Sequence, residues 1–466
     1  MTTPGNVIEI PKAAWRTLAI TSIVGFMVSL EITVISLARA EIAEAFPNSS
    51  PSTLSWVITA YNIGVASLLL PSGWTADRHG RKRLFLWGLG VFVVGSFLSG
   101  VAPSAELLIA ARVLQSIGGA LQFPAGLALL LTAFPIQRRQ MAIGIWGAMG
   151  GLAAAVGPSL GALLVDAFGW RAVFLINVPV ALGALIIAPK WLTESVGESV
   201  PGNVDLISVP LASLGVGAFV LGIVQGTDWG WTSGRTLGVF SLGVVLIAVF
   251  VFRSNRHPRP LFDLALLRLP TYSIGNLGSV FFVVAFFGWL VVLPEFIQRT
   301  WEWSVLKTGF AIAPGPVIAT VLSPITGRLA DRIGNGPILM VGGVAGAIGA
   351  LLHLVLTDTD PNYLGGLLLP GIFIGISAGC SFAMLVGATM RDVQPRQFGM
   401  AGAGRTTIFQ LAIAIAVAIA ISFIGRPASS AEFLAGIQKV WILSLVLWTG
   451  QALVFAFIFP KRTADT

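Results

Sequence analysis

Apolar stretches of membrane-crossing length, parted by short loops, follow one another from end to end of this chain. A helix needs about 20 mostly apolar residues to cross the hydrocarbon core of a bilayer. Lipid offers no partner to backbone N–H and C=O groups, so such stretches must close their own hydrogen bonds as helices. The pattern predicts fourteen spans, at roughly 14–38, 54–76, 84–102, 106–134, 141–165, 172–191, 206–225, 237–252, 273–296, 306–329, 338–356, 363–390, 400–424 and 437–459. The eighth is the shortest. Only 10% of residues are charged and the mean hydropathy is +0.87. A soluble domain carries about 25% charged residues, so the fold class expected is all-α integral membrane. The 54 glycines allow membrane helices to approach closely, and the 14 tryptophans suit the interfaces.

The net charge of +8 does not point to nucleic acid, because the basic residues sit in short loops, where they set orientation. Twenty of the 28 Lys and Arg, Arg405 among them, fall on the side that also holds both predicted termini. Seven fall on the other side, and Arg112 lies inside a span. The bias predicts cytoplasmic termini in the plasma (cytoplasmic) membrane. The single cysteine, Cys380, excludes an intramolecular disulfide and any cysteine-based metal cluster. The three histidines, His79, His257 and His353, make no metal motif, and no cofactor is expected. Residues 1–11 are polar and the apolar stretch after them is long enough to span, so no cleavable signal peptide is expected.

A short charged motif appears twice. Gly73, Asp77, Arg78, Gly80 and Arg81 follow the second predicted span; Gly327, Asp331, Arg332 and Gly334 follow the tenth. In each copy Asp comes four positions after the first Gly, and the second Gly seven after it. Such duplication points to two related halves that move against each other, as transporters are built. Six spans, an inserted pair and six more predict a division into residues 14–191, 205–253 and 271–459.

Several motifs carry a resemblance. The 73–83 stretch resembles the loop motif of the major facilitator superfamily. Arg112, Gln115, Gly118, Gly119 and Ala120 resemble its fourth-helix motif, and Gly157-Pro158-Ser159-Leu160-Gly161 its fifth-helix antiporter motif. Leu30-Glu31-Ile32-Thr33-Val34 and the 170–179 run containing Asn177 are similar to motifs of its fourteen-helix drug:proton antiporter branch. Here Glu31 stands where that branch usually has Asp, Arg39-Ala40 where it has an apolar residue and Pro, and Ala162 where it has Gly. The resemblance implies two six-helix bundles plus two inserted helices, and a monomeric proton-coupled exporter of small molecules working in the lipid bilayer.

Glu31 and Arg112 are the clear charges at membrane depth. Each costs about 2.5–3.5 kcal/mol to place there even on lenient scales, so the default reading is functional. An apolar setting disfavours the charged carboxyl, which suits Glu31 to take up and release a proton. Arg112 needs an acid, carbonyls or water. Both residues are predicted about 10 Å below one membrane surface, so they are expected to pair, the pair opening on protonation. Coupling through water alone, or plain helix anchoring, are the alternatives. Asp77 is expected to cap a helix or pair with Arg as a cytoplasmic latch; the alternative is a basic loop that only sets topology. Gly157-Pro158 reads as a bending point or packing seam, or as an ordinary proline kink.

Tyr61, Asn62, Gln115, Gln122, Asn276 and Gln410 divide between lining a substrate cavity and bonding helices together. Glu295 is either a second acidic gate residue or merely interfacial, and His353 reads as a packing histidine. Phe281, Phe282, Phe286, Phe287 and Trp289 are expected to face lipid in part and an apolar substrate in part. So few acids argue for neutral, zwitterionic or monocationic cargo, with a narrow-specificity exporter of a lipid or metabolite as the alternative. Nothing in the sequence supports an enzyme: there is no paired His/Asp constellation, nucleophile motif or phosphate-binding loop.

Overall fold

The computed structural model describes residues 10–196, 205, 207–258, 260–425 and 429–460. Its long helices are α1 (Lys12–Ala45), α2 (Pro51–His79), α3 (Arg81–Gly100), α4 (Ala105–Ala133), α5 (Arg139–Phe168), α6 (Asn177–Trp191), α7 (Ser208–Trp229), α8 (Gly234–Arg256), α9 (Pro270–Thr300), α10 (Pro314–Ile333), α11 (Asn335–Leu356), α12 (Leu369–Met390), α13 (Phe398–Ile424) and α14 (Ser430–Leu453). Thirteen spans long and apolar enough to cross a membrane are found among the described residues. The remaining helix, α5, has 30 residues; several of its side chains, Pro158 included, lie outside the described residues.

Helix ends depart from the apolar stretches where polar residues continue the helix. The first helix runs on to Ala45, past the predicted end at 38. The Arg39 and Ala40 side chains there lie outside the described residues. The predicted tenth span divides into Val305–Ile312 and α10, because Pro314 and Pro316 interrupt the bonding ladder. The sixth divides in the same way at Ile176, ahead of Pro179. Asp77 and Asp331 lie in the last turns of α2 and α10 rather than in loops, and Gly80 (φ 105°) and Gly334 (φ 83°) end those helices. A side chain rarely adopts such φ values.

Side chains serve helix starts in two ways. α2, α4, α8, the Val305 turn and α14 carry their own serine caps, Ser50, Ser104, Ser233, Ser304 and Ser429. α3, α5 and α13 have no side-chain cap of their own at the N-cap position. Carboxylates from distant sequence serve them instead. Glu194, just after α6, accepts from Lys82 N and Arg83 N at 3.0 and 3.1 Å. Asp331 serves α5 and Asp77 serves α13. A cap supplied in this way holds only while the two elements stay docked.

α3 and α4 pack together, as do α2 and α4, α1 and α5, α11 and α12, and α11 and α14. The first six helices meet the last six mainly where α5 packs on α10 and α12, and where α13 packs on α2 and α4. α7 pairs with α8 and lies against both α2 and α13. Asp205 clamps this pair, accepting from Ser208 and from Arg253 Nε at 2.6 Å. Desolvation pushes the Asp205 carboxyl up, but the Ser208 and Arg253 hydrogen bonds outweigh it and hold it below the ordinary carboxylate range. The clamp is therefore ionised at neutral pH.

Candidate functional site

The first part of the site is a buried charge cluster. Arg112 of α4 and Glu31 of α1 form a direct ion pair, 1% and 2% exposed. The other Glu31 oxygen accepts from the Asn177 side-chain amide, at the start of α6. The Arg112 guanidinium also donates to the Val57 carbonyl of α2 at 3.0 Å and to Gln115 Oε1 at 2.6 Å. Gln115 donates on to Ser96 of α3 at 2.8 Å. The Tyr61 ring lies 4.3 Å from the guanidinium carbon and the Phe174 ring 5.5 Å, within cation–π range. Five helices thus converge on one carboxylate–guanidinium pair. A pair so enclosed is held by geometry and by hydrogen bonds to its remaining lone pairs, since desolvation offsets much of the Coulomb gain.

The second part is a pair of caps joining the two halves at one end of the molecule. Asp77 accepts from Gly399 N (2.9 Å) and Met400 N (2.8 Å) at the start of α13. Asp331 accepts from Gln140 N (3.1 Å) and Met141 N (3.2 Å) at the start of α5. A carboxylate in the last turn of its own helix faces the negative end of that helix dipole, and the positive start of a partner helix offsets this. Arg81 reinforces the first cap: its guanidinium bonds Asp77 at 2.7 Å and the Pro395 carbonyl ahead of α13. Asn335 takes the equivalent place in the second copy and donates to Gln140 Oε1 at 2.9 Å and to the Met384 carbonyl at 3.2 Å. Arg139, beside the second cap, lies over the Phe398 ring at 5.2 Å, so the two caps are neighbours.

Glycines allow this closeness. A Cβ on Gly73 would overlap the Gly399 carbonyl oxygen and the Ala403 methyl. A Cβ on Gly327 would sit 2.7 Å from the Gln140 carbonyl oxygen, and one on Gly144 2.6 Å from that of Ser323. Gly73→Ala is expected to push α2 off α13 and break the Asp77 cap. Transport at matched protein level should fall at least about fivefold, in line with the 1–3 kcal/mol typical of overpacking. Unchanged transport would show that the contact is dispensable.

Two related halves joined by caps that repeat at one spacing match a known transporter family. The sequence pattern of the Major Facilitator Superfamily matches residues 21–417. The chain belongs to this superfamily. Among its relatives, the tetracenomycin C resistance and export protein of Streptomyces glaucescens is 34% identical over 73% of this chain and 64% of its own length. The multidrug efflux pump LfrA of Mycolicibacterium smegmatis is 28% identical over 97% of this chain and 90% of its own. Among solved structures, the proton:xylose symporter XylE superposes with a TM-score of 0.69 at 16% identity, covering 97% of both chains. That likeness establishes the fold.

Within this superfamily member the other predicted residues scatter. Gln122 ties α4 to α3 through the Gly88 carbonyl at 3.0 Å, and Asn276 bonds back to the Tyr272 carbonyl of its own helix at 2.8 Å. Asn62 is exposed and Gln410 half-buried. The Tyr61 hydroxyl is buried without a partner. Glu295 pairs with Arg299 at 3.0 Å, 39% and 63% exposed, which is the interfacial arrangement. Arg78 stacks over Trp74 at 5.5 Å and Arg332 is exposed. Gly157 is buried within α5. His353 accepts from Trp289 Nε1 at 3.0 Å, bonds Thr357 at 3.0 Å and stacks on Trp441, a satisfied packing histidine.

Two residues escaped the sequence reading. Asn177 was legible only as a polar residue inside an apolar run and received no role. Arg405 was counted with the loop arginines, but it lies in α13, 5% exposed. It stands five residues inside the predicted span at 400–424 and was assigned to the loop before it.

Proposed function

We propose that this chain is a proton-coupled efflux transporter of apolar or amphipathic small molecules, in the fourteen-helix antiporter branch of its superfamily. In this reading α1–α6 and α9–α14 are the two bundles and α7–α8 the insert, with α5 crossing the membrane as the fourteenth span. Both termini are cytoplasmic and the chain works as a monomer in the plasma membrane. The relatives named for export and multidrug efflux support the direction of transport.

The observation that carries the reading is the enclosed Glu31–Arg112–Asn177 cluster. Protonation of Glu31 removes the charge that holds Arg112, and the amide of Asn177 loses its ionic acceptor. α2 links this event to the far end. Val57, near its start, accepts from Arg112, and Asp77, in its last turn, caps α13. Twenty helical residues span about 30 Å, most of a membrane. Both caps are made here, so this conformation is the one closed on the cytoplasmic side. Proton uptake at the cluster and release of the caps are then alternative occupancies of one rocking cycle.

The test is reconstitution in liposomes carrying a pH-sensitive dye, with cationic, neutral and anionic fluorescent amphiphiles as cargo. The wild-type chain should release protons as cargo moves. In Glu31→Gln, proton release should fall at least about tenfold, the scale expected when the group exchanging the proton is removed. A mutant that still couples rules Glu31 out as the proton carrier. Cargo movement without any proton flux in the wild-type chain would reduce the reading to a facilitator.

A further inference from the structure

Arg405 closes the second turn of α13, seven residues in from its start, about 10 Å along the axis. It is 5% exposed, its side chain makes no hydrogen bond or ion pair among the described residues, and its Nε has no partner. A guanidinium left so in an apolar setting is costly, and natural chains pair it or use it. Its neighbours are aromatic: the Phe409 ring, 5.7 Å from the guanidinium carbon, and Tyr272, whose hydroxyl meets the Arg405 backbone.

The face of α13 that carries Arg405 is the one turned to the seam between the halves. Gly402, three residues earlier on that face, looks toward Leu127 of α4 and Met390 of α12. Phe409, four residues later, meets Phe287 at 6.0 Å and Phe382 at 6.4 Å. Phe382 in turn stands edge-on to Phe282 and Phe286 at 4.8 and 5.1 Å. Phe382 is half-buried within a stretch of α12, 377–390, whose other residues are all buried. The carboxylates about the start of α13 have partners of their own: Asp77 with Arg81 and α13, Asp331 with α5, Asp263 with Gln397. Arg139, over Phe398, adds a second positive charge at that end.

We propose that Arg405 and the Phe382–Phe409 wall form a cargo site for amphipathic organic anions, compounds with a flat apolar body and one carboxylate, sulfonate or phenolate. The rings take the apolar body by stacking and edge contacts, and the unpaired guanidinium takes the anionic group through its fork of N–H donors. The proposal names the cargo class of the exporter proposed above and departs from the neutral, zwitterionic or monocationic cargo suggested by the sparse acids. Here the sign of the selecting charge is set by a buried arginine that was counted with the loop residues.

The test compares two probes with the same aromatic body, anilinonaphthalene sulfonate and the uncharged phenylnaphthylamine, binding to purified full-length protein in detergent. Binding is read by probe fluorescence against empty micelles. The wild-type chain should bind the sulfonate more tightly than the neutral probe. Arg405→Gln should weaken the sulfonate about tenfold, the scale of one lost charge-assisted hydrogen bond, and leave the neutral probe within about twofold. Arg405→Lys should keep most of the sulfonate affinity, and Phe382→Ala should weaken both probes. Equal weakening of both probes by Arg405→Gln, or no wild-type preference for the sulfonate, would make Arg405 a structural residue and overturn the proposal. Should Arg405→Gln fail to fold, Arg405→Lys and Phe382→Ala decide it: sulfonate binding untouched by Phe382→Ala overturns it equally. Binding needs no proton gradient, so failure here is distinguishable from failure of the proton-coupled reading.

Discussion

Arg112→Ala is expected to lower stability by about 3–5 kcal/mol, the scale for breaking a buried ion pair from one side. The alanine leaves Glu31 as an uncompensated buried acid, with only the Asn177 amide still bonded to it. It also leaves Gln115 Oε1 without its donor and takes the second donor from the Val57 carbonyl. Thermal melting in detergent reads the loss. The double variant Glu31→Gln/Arg112→Met removes both charges, and replacing a buried pair by neutral groups of similar volume is often close to neutral. It should therefore melt much nearer the wild-type chain while failing to couple protons. This divergence separates the pair's structural part from its functional part. Equal melting of Arg112→Ala and the wild-type chain would show that the pair does not hold the bundle together.

Asp77→Asn is expected to cut transport about tenfold or more at unchanged expression, with a stability change of only about 1–2 kcal/mol. Asparagine keeps one acceptor, but it loses the charge that answers the start of α13 and binds Arg81. The state in which both caps are made loses support relative to the one in which they part. Met400, 8% exposed beneath the cap, supplies the reporter. A Met400→Cys probe on a Cys380→Ala background should react faster with a membrane-impermeant thiol reagent when Asp77→Asn is added. Asp331→Asn should shift the balance in the same direction. Unaltered labelling together with unaltered transport would leave the twin motif with no role but topology.

The twin Gly-Asp-Gly spacing showed in the sequence because the same need, an acid one turn beyond a close-packed glycine, arises twice. What each acid caps did not show. Gly399-Met400 and Gln140-Met141 are backbone N–H donors, and backbone groups leave no residue-type signal. Only flanking side chains hint at them: both capped helix starts carry Met-Ala shortly after a proline, at Pro135 and Pro395. Glu31 and Arg112 were legible because a charge in an apolar run is rare and expensive. Their partner Asn177 was not, since a lone amide could equally bond its own helix, as Asn276 does. Gln122, foreseen as cavity lining or helix glue, bonds α4 to α3 through the Gly88 carbonyl.

Apolar periodicity and the scarcity of charge by themselves determined an all-helical membrane protein, because lipid leaves the backbone no other way to satisfy its hydrogen bonds. The repeat determined that two parts of the chain are alike. Only the tertiary structure decided that Asp77 and Asp331 each reach across to the other part of the chain, and that Arg405 stands buried and unpaired beside phenylalanines. Those facts depend on which helix starts and faces meet through space. Pairings between residues hundreds of positions apart are fixed by packing, and a local reading of residue types carries no record of them.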